Sequence, residues 1–213
     1  MNQDGRSAGL TAPSGPAQEA VIRAALANAG LAPDEVDAIE AHGTGTGLGD
    51  PIEAHALAAV FKGRDRPLWV GSIKSNMGHA EAAAGVAGMI KAVLMAERGA
   101  IPPSLHFHQL NPHIDTGTTD IRVPVTLQPI RPRAVGVSSF GFSGTNAHIL
   151  VAPPPERAPA APAPSAGHTP RLLISARTPD ALQSLIAAYR QRLDAAPDSF
   201  PDLCHSAATG RAR

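Results

Sequence analysis

Aromatic residues are scarce in this sequence: Phe, Trp and Tyr together make 3% of its 213 residues. With hydrophobic residues at 43%, a core has to be assembled chiefly from Ala, Val, Leu and Ile, which suffices for a folded chain and excludes long disorder. The 20 Gly and 21 Pro follow no fixed period, which excludes collagen. An excess of charge is also lacking, since 18 basic and 18 acidic side chains cancel. Without a cluster of Lys and Arg interleaved with aromatics, the usual electrostatic footprint of a nucleic-acid binder is absent. The single cysteine, Cys204, cannot close an internal disulfide. No apolar signal segment opens the chain, and the most apolar stretch, 85–96, is short and interrupted by Lys91. The protein is therefore expected to be soluble and cytoplasmic, with neither nucleic acid nor membrane as partner.

The length fits one full domain or parts of two. Between 153 and 170 a run with Pro at 153, 154, 155, 159, 162, 164 and 170 lies among Ala, Ser and Gly. It has little apolar mass to bury and reads as a linker. The expected division is thus 1–152, a linker at 153–170, and a tail at 171–213. In the first block a helix is expected from Pro16 to about Ala29, with Val21, Ile22, Ala25, Leu26 and Ala29 on one face and Gly30 as its stop. Residues 36–41 suit a buried strand that feeds a Gly-rich loop at 43–49. Asp50, Pro51 and Glu53 form an acidic version of a capping box, and the helix they open carries Ile52, Leu57, Val60 and Phe61 before Gly63.

The order then recurs: a strand at 68–70, a polar loop at 71–79, and a helix at 80–98 stopped by Gly99. That helix is apolar nearly all round, with Gly85 and Gly88 permitting close backbone approach, and is expected to be central and buried. Strands follow at 121–125, 134–139 and 147–152, the last two joined through 140–146. In the tail, 171–175 is a strand candidate. Thr178 caps a helix carrying Leu182, Leu185, Ile186, Tyr189 and Leu193 on one side, and a second helix is expected at 202–209. The class is α/β.

Three loops place glycines and polar groups directly after or between apolar strands, where an α/β sheet presents its ligands. In His42-Gly43-Thr44-Gly45-Thr46-Gly47 the glycines let a ligand approach the backbone, the threonines offer hydroxyls and the imidazole offers a hydrogen bond. The same loop also fits a plain glycine-rich turn; it lacks the spacing of a phosphate-binding loop. Lys74-Ser75-Asn76-Met77-Gly78-His79 sets a Lys and a His at the start of the apolar helix, a favourable field for developing negative charge, though a solvated Lys and a capping His fit as well. In Phe140-Gly141-Phe142-Ser143-Gly144-Thr145-Asn146 a tight crossing either exposes backbone N–H groups or is a simple hairpin turn.

These three motifs in this order, with Ala147-His148 after the last, closely resemble the C-terminal half of a β-ketoacyl synthase domain, and most nearly the ketosynthases of modular type I polyketide synthases. Asn2-Gln3-Asp4-Gly5, Gly9-Leu10-Thr11-Ala12-Pro13 and Gly49-Asp50-Pro51-Ile52-Glu53-Ala54 support the likeness. The tail, with Leu173-Ile174-Ser175-Ala176-Arg177 and Asp202-Leu203-Cys204, is similar to the start of the linker domain between a ketosynthase and an acyltransferase. The resemblance implies half of a thiolase-like fold, a mixed sheet layered with helices, followed by a Pro-rich linker and a small α/β segment. It also implies decarboxylative Claisen condensation of a Cys-bound acyl chain with an extender unit on acyl carrier protein. By motif match, His42 and His79 would donate to the extender thioester oxygen during decarboxylation, and Lys74 would orient His79 and add positive potential. The Phe142 N–H would form one side of the oxyanion hole while its ring borders the acyl pocket, and Thr44 and Thr46 would hold the phosphopantetheine arm.

No cofactor is expected beyond that arm, which arrives as a substrate carrier. The implied partners are an N-terminal ketosynthase half, acyl carrier protein and an acyltransferase domain, with the whole ketosynthase homodimeric. The family's nucleophilic Cys lies in that N-terminal half, and no Ala-Cys-Ser-Ser type turn occurs here. Cys204 reads as a small buried hydrophobe, its neighbour His205 pointing another way on a short helix. The chain alone is thus expected not to condense acyl chains, its other half being a separate polypeptide or lost by truncation. Two further readings stand beside this one: a non-enzymatic docking or scaffold piece of a synthase assembly, and a thiol-free decarboxylase using His42 and His79. No metal site is expected, because His106-x-His108 has no third ligand patterned near it. His55, His113, His148, His168 and His205 read as surface or structural, and Glu53 as a capping or buried carboxylate.

Overall fold

Helix α1 (Gly15–Ala29) starts where Ser14 accepts a hydrogen bond from the Ala17 N–H and Pro16 fills the first turn, and it stops at Gly30 in the left-handed conformation. The structure, a computed structural model, describes residues 1–5, 9, 12–154 and 170–210. It comprises two units, Met1–Glu156 and Arg157–Arg213.

In the first unit, β2 (Ala38–Glu40), β3 (Leu68–Gly71), β4 (Ile121–Arg122) and β5 (Val135–Phe140) are parallel. The hairpin partner β6 (Thr145–Val151) is antiparallel to β5, and β1 (Asn2–Gln3) is antiparallel to β6. The sheet order is β1-β6-β5-β2-β3-β4. Side-chain alternation along β2 divides the core into two layers. Ile39 packs with Val21, Ile22 and Leu26 of α1 and with Leu57 and Val60 of α2 (Gly49–Val60). Ala38, one residue earlier, joins Val135, Val137 and the Ala92 and Met95 side chains of α4 (Ala84–Arg98) on the opposite face. The unit is thus a mixed sheet between helices, the α/β class expected.

Local departures from expectation have identifiable causes. Strand pairing at 121–125 ends at Arg122, because Pro124 has no N–H to give. The chain does not run as one helix from 80: α3 (Lys74–Met77) ends at Gly78, with φ 76°, a 3₁₀ turn covers Glu81–Ala83, and only then does α4 begin. Nor is α4 buried all round. Its small residues Ala84, Gly88, Ala92 and Ala96 lie on the sheet, but Val86, Met89, Ile90, Val93 and Leu94 are exposed, Ile90 to 55%.

In the second unit, Thr178 caps α5 (Pro179–Ala195) as expected, its hydroxyl accepting from the Ala181 N–H at 3.2 Å. Its apolar residues Leu182, Leu185, Ile186, Tyr189 and Leu193 are half-buried. Helix α6 (Phe200–Thr209) buries Cys204. The strand expected at 171–175 does not form, since the described residues of that unit supply no strand to pair with it. Most of the Pro-rich run, 155–169, lies outside the described residues. Among those described, no helix is long and apolar enough to cross a membrane.

His148 on β6 is buried, the structural one of its two readings. Its Nδ1 lies 3.0 Å from the Ser138 hydroxyl, and its ring fills the space left by Gly136, where a Cβ would stand 2.7 Å from Nε2. Burial pushes its pKa down to about 4. As pH falls from 6.5 the unfolded chain takes up this proton first, so the stability the neutral ring contributes is lost progressively toward pH 4, by up to roughly 3 kcal/mol. The difference in unfolding free energy between the parent and His148→Gln should narrow over that window; a difference constant from pH 7 to 4 contradicts it. The exposed face of α4 sets a second expectation, self-association of the isolated chain. Light scattering should show oligomers that a Val86→Gln/Ile90→Gln/Val93→Gln variant reduces, and a monodisperse parent monomer would refute this.

Candidate active site

Because β2, β3 and β5 are parallel, their C-terminal ends lie along one edge of the sheet. The chain leaves β2 into the 42–47 loop, β3 into 72–79 and β5 into 141–144. The three loops singled out in the sequence are therefore neighbours. His42, His79, Phe142, Thr44 and Thr46 line a single cavity of about 1100 Å³.

The first loop is fixed from behind. Glu53 on α2 is 5% exposed, and its two carboxylate oxygens accept the backbone N–H groups of His42 at 2.8 Å and Gly43 at 2.9 Å. Gly43 has φ 45°, and a Cβ there would lie 3.0 Å from the Ser72 Cβ, so the turn requires glycine. Burial raises Glu53 to about 7 despite those two hydrogen bonds. The capping box expected for α2 does not form. Asp50 turns back to accept the Gly45 N–H at 3.0 Å, and the Thr46 hydroxyl instead accepts the Gly49 N–H at 3.0 Å.

The two imidazoles meet edge to face, with ring centroids 5.6 Å apart and planes at 82°. Each receives a backbone N–H on Nδ1, His42 from Phe140 at 3.4 Å and His79 from Glu81 at 2.9 Å. An Nδ1 that accepts is unprotonated, which places the hydrogen of each neutral ring on Nε2. Burial first, then the positive charge of Lys74, lower His42 to about 4 and keep it neutral. The arrangement is thus a pair of neutral Nε2–H donors in one cavity, suited to an oxygen that gains negative charge.

The Glu81 N–H holds the His79 ring, and no hydrogen bond joins Lys74 to it among the described residues. Lys74 is half-buried at the start of α3, where desolvation lowers its pKa while Glu40 and Glu53 raise it. It lines a second cavity, of about 770 Å³, which shares Thr44, Asp50 and Glu53 with the first. The Phe142 side chain is 83% exposed at the cavity mouth. Its loop closes on itself through Gly141 N–H to Thr145 O at 2.6 Å, and no partner for the Phe142 N–H occurs among the described residues. Asp4, just after β1, anchors the loop, its N–H donating to Gly144 O at 2.8 Å and its Oδ1 accepting from Asn146 Nδ2 at 2.7 Å. His55 does not line the cavity; its Nε2 accepts the Asp115 N–H at 3.1 Å.

Comparisons with known proteins show the family to which the chain belongs. The family model for the C-terminal domain of β-ketoacyl synthase matches residues 1–108. The chain belongs to the β-ketoacyl synthase family. A second model, the ketoacyl-synthetase C-terminal extension, matches residues 111–212 and so takes in β4 to β6 as well as the tail. Among curated relatives, a spectinabilin polyketide synthase system protein, NorA', of Streptomyces orinoci is 52% identical over 99% of this chain. The erythronolide synthase EryA3 of Saccharopolyspora erythraea is 52% identical over 86% of it. The chain spans 6% of the length of either relative. Of solved structures, the oxazolomycin ketosynthase domain OzmH KS8 of Streptomyces albus matches with TM-score 0.68 at 44% identity, over 74% of this chain and 44% of that one. The ketosynthase from module 6 of the Bacillus subtilis bacillaene synthase matches with TM-score 0.67 at 34% identity, over 99% of this chain and 37% of that one. The β-ketoacyl synthase fold of these neighbours is thiolase-like.

The Glu53 clamp makes a direct prediction about this domain. Glu53→Ala leaves two buried N–H groups without acceptors, at roughly 1–3 kcal/mol each, whereas Glu53→Gln keeps one acceptor oxygen and should cost about half as much. Denaturant unfolding in the background with the polar α4 face measures both; equal and negligible losses would show that the carboxylate does not hold the loop.

Proposed function

We propose that this domain supplies the decarboxylating half of a polyketide ketosynthase active site, and the observation that carries the reading is the pair of Nε2–H donors of His42 and His79 facing one cavity. The substrate is an extender unit of malonyl type, a thioester on the phosphopantetheine arm of acyl carrier protein. As its carboxylate leaves as CO₂, the electron pair of the broken C–C bond passes into the thioester, whose oxygen becomes an enolate oxygen. Two neutral donors stabilise that charge without the reorganisation that water would need. The enolate carbon then attacks a Cys-bound acyl thioester, the Phe142 N–H receives the tetrahedral oxyanion, and the Cys thiolate departs. That cysteine belongs to an N-terminal ketosynthase half, a partner in this reading together with the carrier protein, an acyltransferase domain and a second ketosynthase in a homodimer. The setting is the cytoplasm.

The threonines suit an arm with amide groups. Thr46 Oγ1 already accepts the Gly49 N–H and lies 3.5 Å from Thr44 Oγ1, so at least one hydroxyl hydrogen is left to donate into the cavity. Lys74 acts by charge rather than by touching His79, adding positive potential at His42. No nucleophile in these residues replaces the missing one: Cys204 is buried on α6.

In a ketosynthase that contains these residues and a nucleophilic cysteine, acyl loading needs the thiol and the oxyanion hole but no enolate. His42→Ala and His79→Ala should each leave loading largely intact while slowing release of labelled CO₂ by roughly 10² or more, the scale for one preorganised donor. Phe142→Leu, which keeps the backbone N–H, should alter acyl preference more than rate. Undiminished CO₂ release in both histidine variants would defeat the assignment.

A further inference from the structure

Behind the cavity, one buried ion pair is unused by the chemistry just described. Lys91 Nζ of α4 lies 2.7 Å from Glu40 Oε2 at the end of β2, with the side chains 10% and 2% exposed. Glu40 Oε1 accepts the N–H of Ile73, the residue that precedes α3. Three elements therefore converge on one carboxylate. Gly88, one helical turn before Lys91, allows this: a Cβ there would stand 3.0 Å from Glu40 Cγ, so α4 could not settle onto the carboxylate with a larger residue. A buried pair of this kind is weak evidence for stability in itself, since two desolvated charges seldom outdo an apolar pair of equal volume. Its connections suggest another use.

We infer that Lys91 and Glu40 are positioning residues for the decarboxylation step: the pair fixes the start of the Lys74 to His79 segment through the Ile73 N–H and holds a negative charge opposite Lys74. This inference rests on the reading of His42 and His79 given above. The groups facing Glu40 are Lys91 of α4 and, at longer range, Lys74 of α3. Those facing Lys74 are Glu40 of β2, Glu53 of α2 and the His42 ring. Burial favours a neutral Glu40 and the Lys91 ammonium opposes it. Without that ammonium the balance at Glu40 moves further toward the neutral form, and Lys74 loses part of the negative charge that supports its own. The deprotonation of Lys74 then moves to lower pH, and with it the alkaline limit of decarboxylation.

The test uses a ketosynthase that carries these residues with its nucleophilic cysteine. Lys91→Met and Glu40→Gln are each expected to slow CO₂ release from a malonyl thioester tenfold or more, with acyl loading within twofold of the parent. Lys91→Met should also draw the alkaline limb of the pH profile to lower pH, and Lys91→Arg should restore both. The double variant Glu40→Gln/Lys91→Met separates positioning from simple stability, because it leaves no unpaired buried charge. It should recover the parent melting temperature yet remain slow in decarboxylation. Parent-like CO₂ release in the double variant, or equal losses of loading and decarboxylation in the single ones, overturns the inference. His42→Ala is run alongside: if it releases CO₂ at the parent rate, the reading of the site falls and this inference with it. If it is slow while the double variant is parent-like, this inference alone falls.

Discussion

A carboxylate that accepts two successive backbone N–H groups in a buried place holds the site together. Glu53 reaches from α2 to the end of β2 and takes the N–H groups of His42 and Gly43. Taking the carboxyl out of water favours its neutral form, and the two N–H groups oppose that shift without cancelling it. Once the 42–43 backbone is fixed, the rest of the geometry follows in order. The His42 ring stands where the Phe140 N–H can reach it, and Phe140 is the last residue of β5. One hydrogen bond thus links the first loop to the third, and the His79 ring, packed edge-on against His42, completes the group.

Sheet topology does the remaining work. Parallel pairing of β2 with both β3 and β5 brings loops about 30 and 100 residues apart in sequence to the same edge, whereas an antiparallel arrangement would place some of them at the opposite end. The helices lie on the two faces of the sheet and leave that edge open, so the cavity forms between loops rather than within the core. Small residues on α4 serve the same end from below. Gly85, whose Cβ would meet Ser139 Oγ at 3.1 Å, and Gly88 bring the helix backbone close to β5 and β2.

Much of this was legible in the order of motifs. Helix-face periodicity located α1, α2 and α5, short apolar runs bounded by turn residues located the main strands, and Pro16, Gly30, Gly99 and Thr178 mark helix ends for reasons that local chemistry states outright. The convergence of the three loops followed from the family likeness and from strand ends carrying ligands. Other features depended on contacts that no local pattern encodes. The apolar run at 80–98 gave no sign that Gly78 and a 3₁₀ turn would delay α4, or that only half of it would touch the sheet. Lys91 looked like an interruption of an apolar stretch, and only the structure supplies Glu40 as its partner. The family likeness had Lys74 orient His79, whereas the His79 ring accepts the Glu81 N–H and Lys74 feels the charges of Glu40 and Glu53. Glu53 sits where a capping residue would, yet its carboxylate serves a loop 10 residues upstream.

The notch that Gly136 leaves for His148 has a consequence for how sequences of this domain can vary. The two positions lie diagonally across the β5–β6 hairpin, offset by two residues in register, and share a space that holds one large ring and one hydrogen atom. A side chain at 136 can enter only if the ring at 148 shrinks and the tip of Ile39, equally close, turns aside, and the Ser138 hydroxyl then loses its imidazole partner. Change at these three sites is therefore concerted: single replacements pass through a strained or unpaired intermediate, while a matched triple replacement need not. The hairpin that leads into the Phe142 loop thus carries a built-in brake on drift, set by packing in the sheet and independent of whatever occupies the cavity above it.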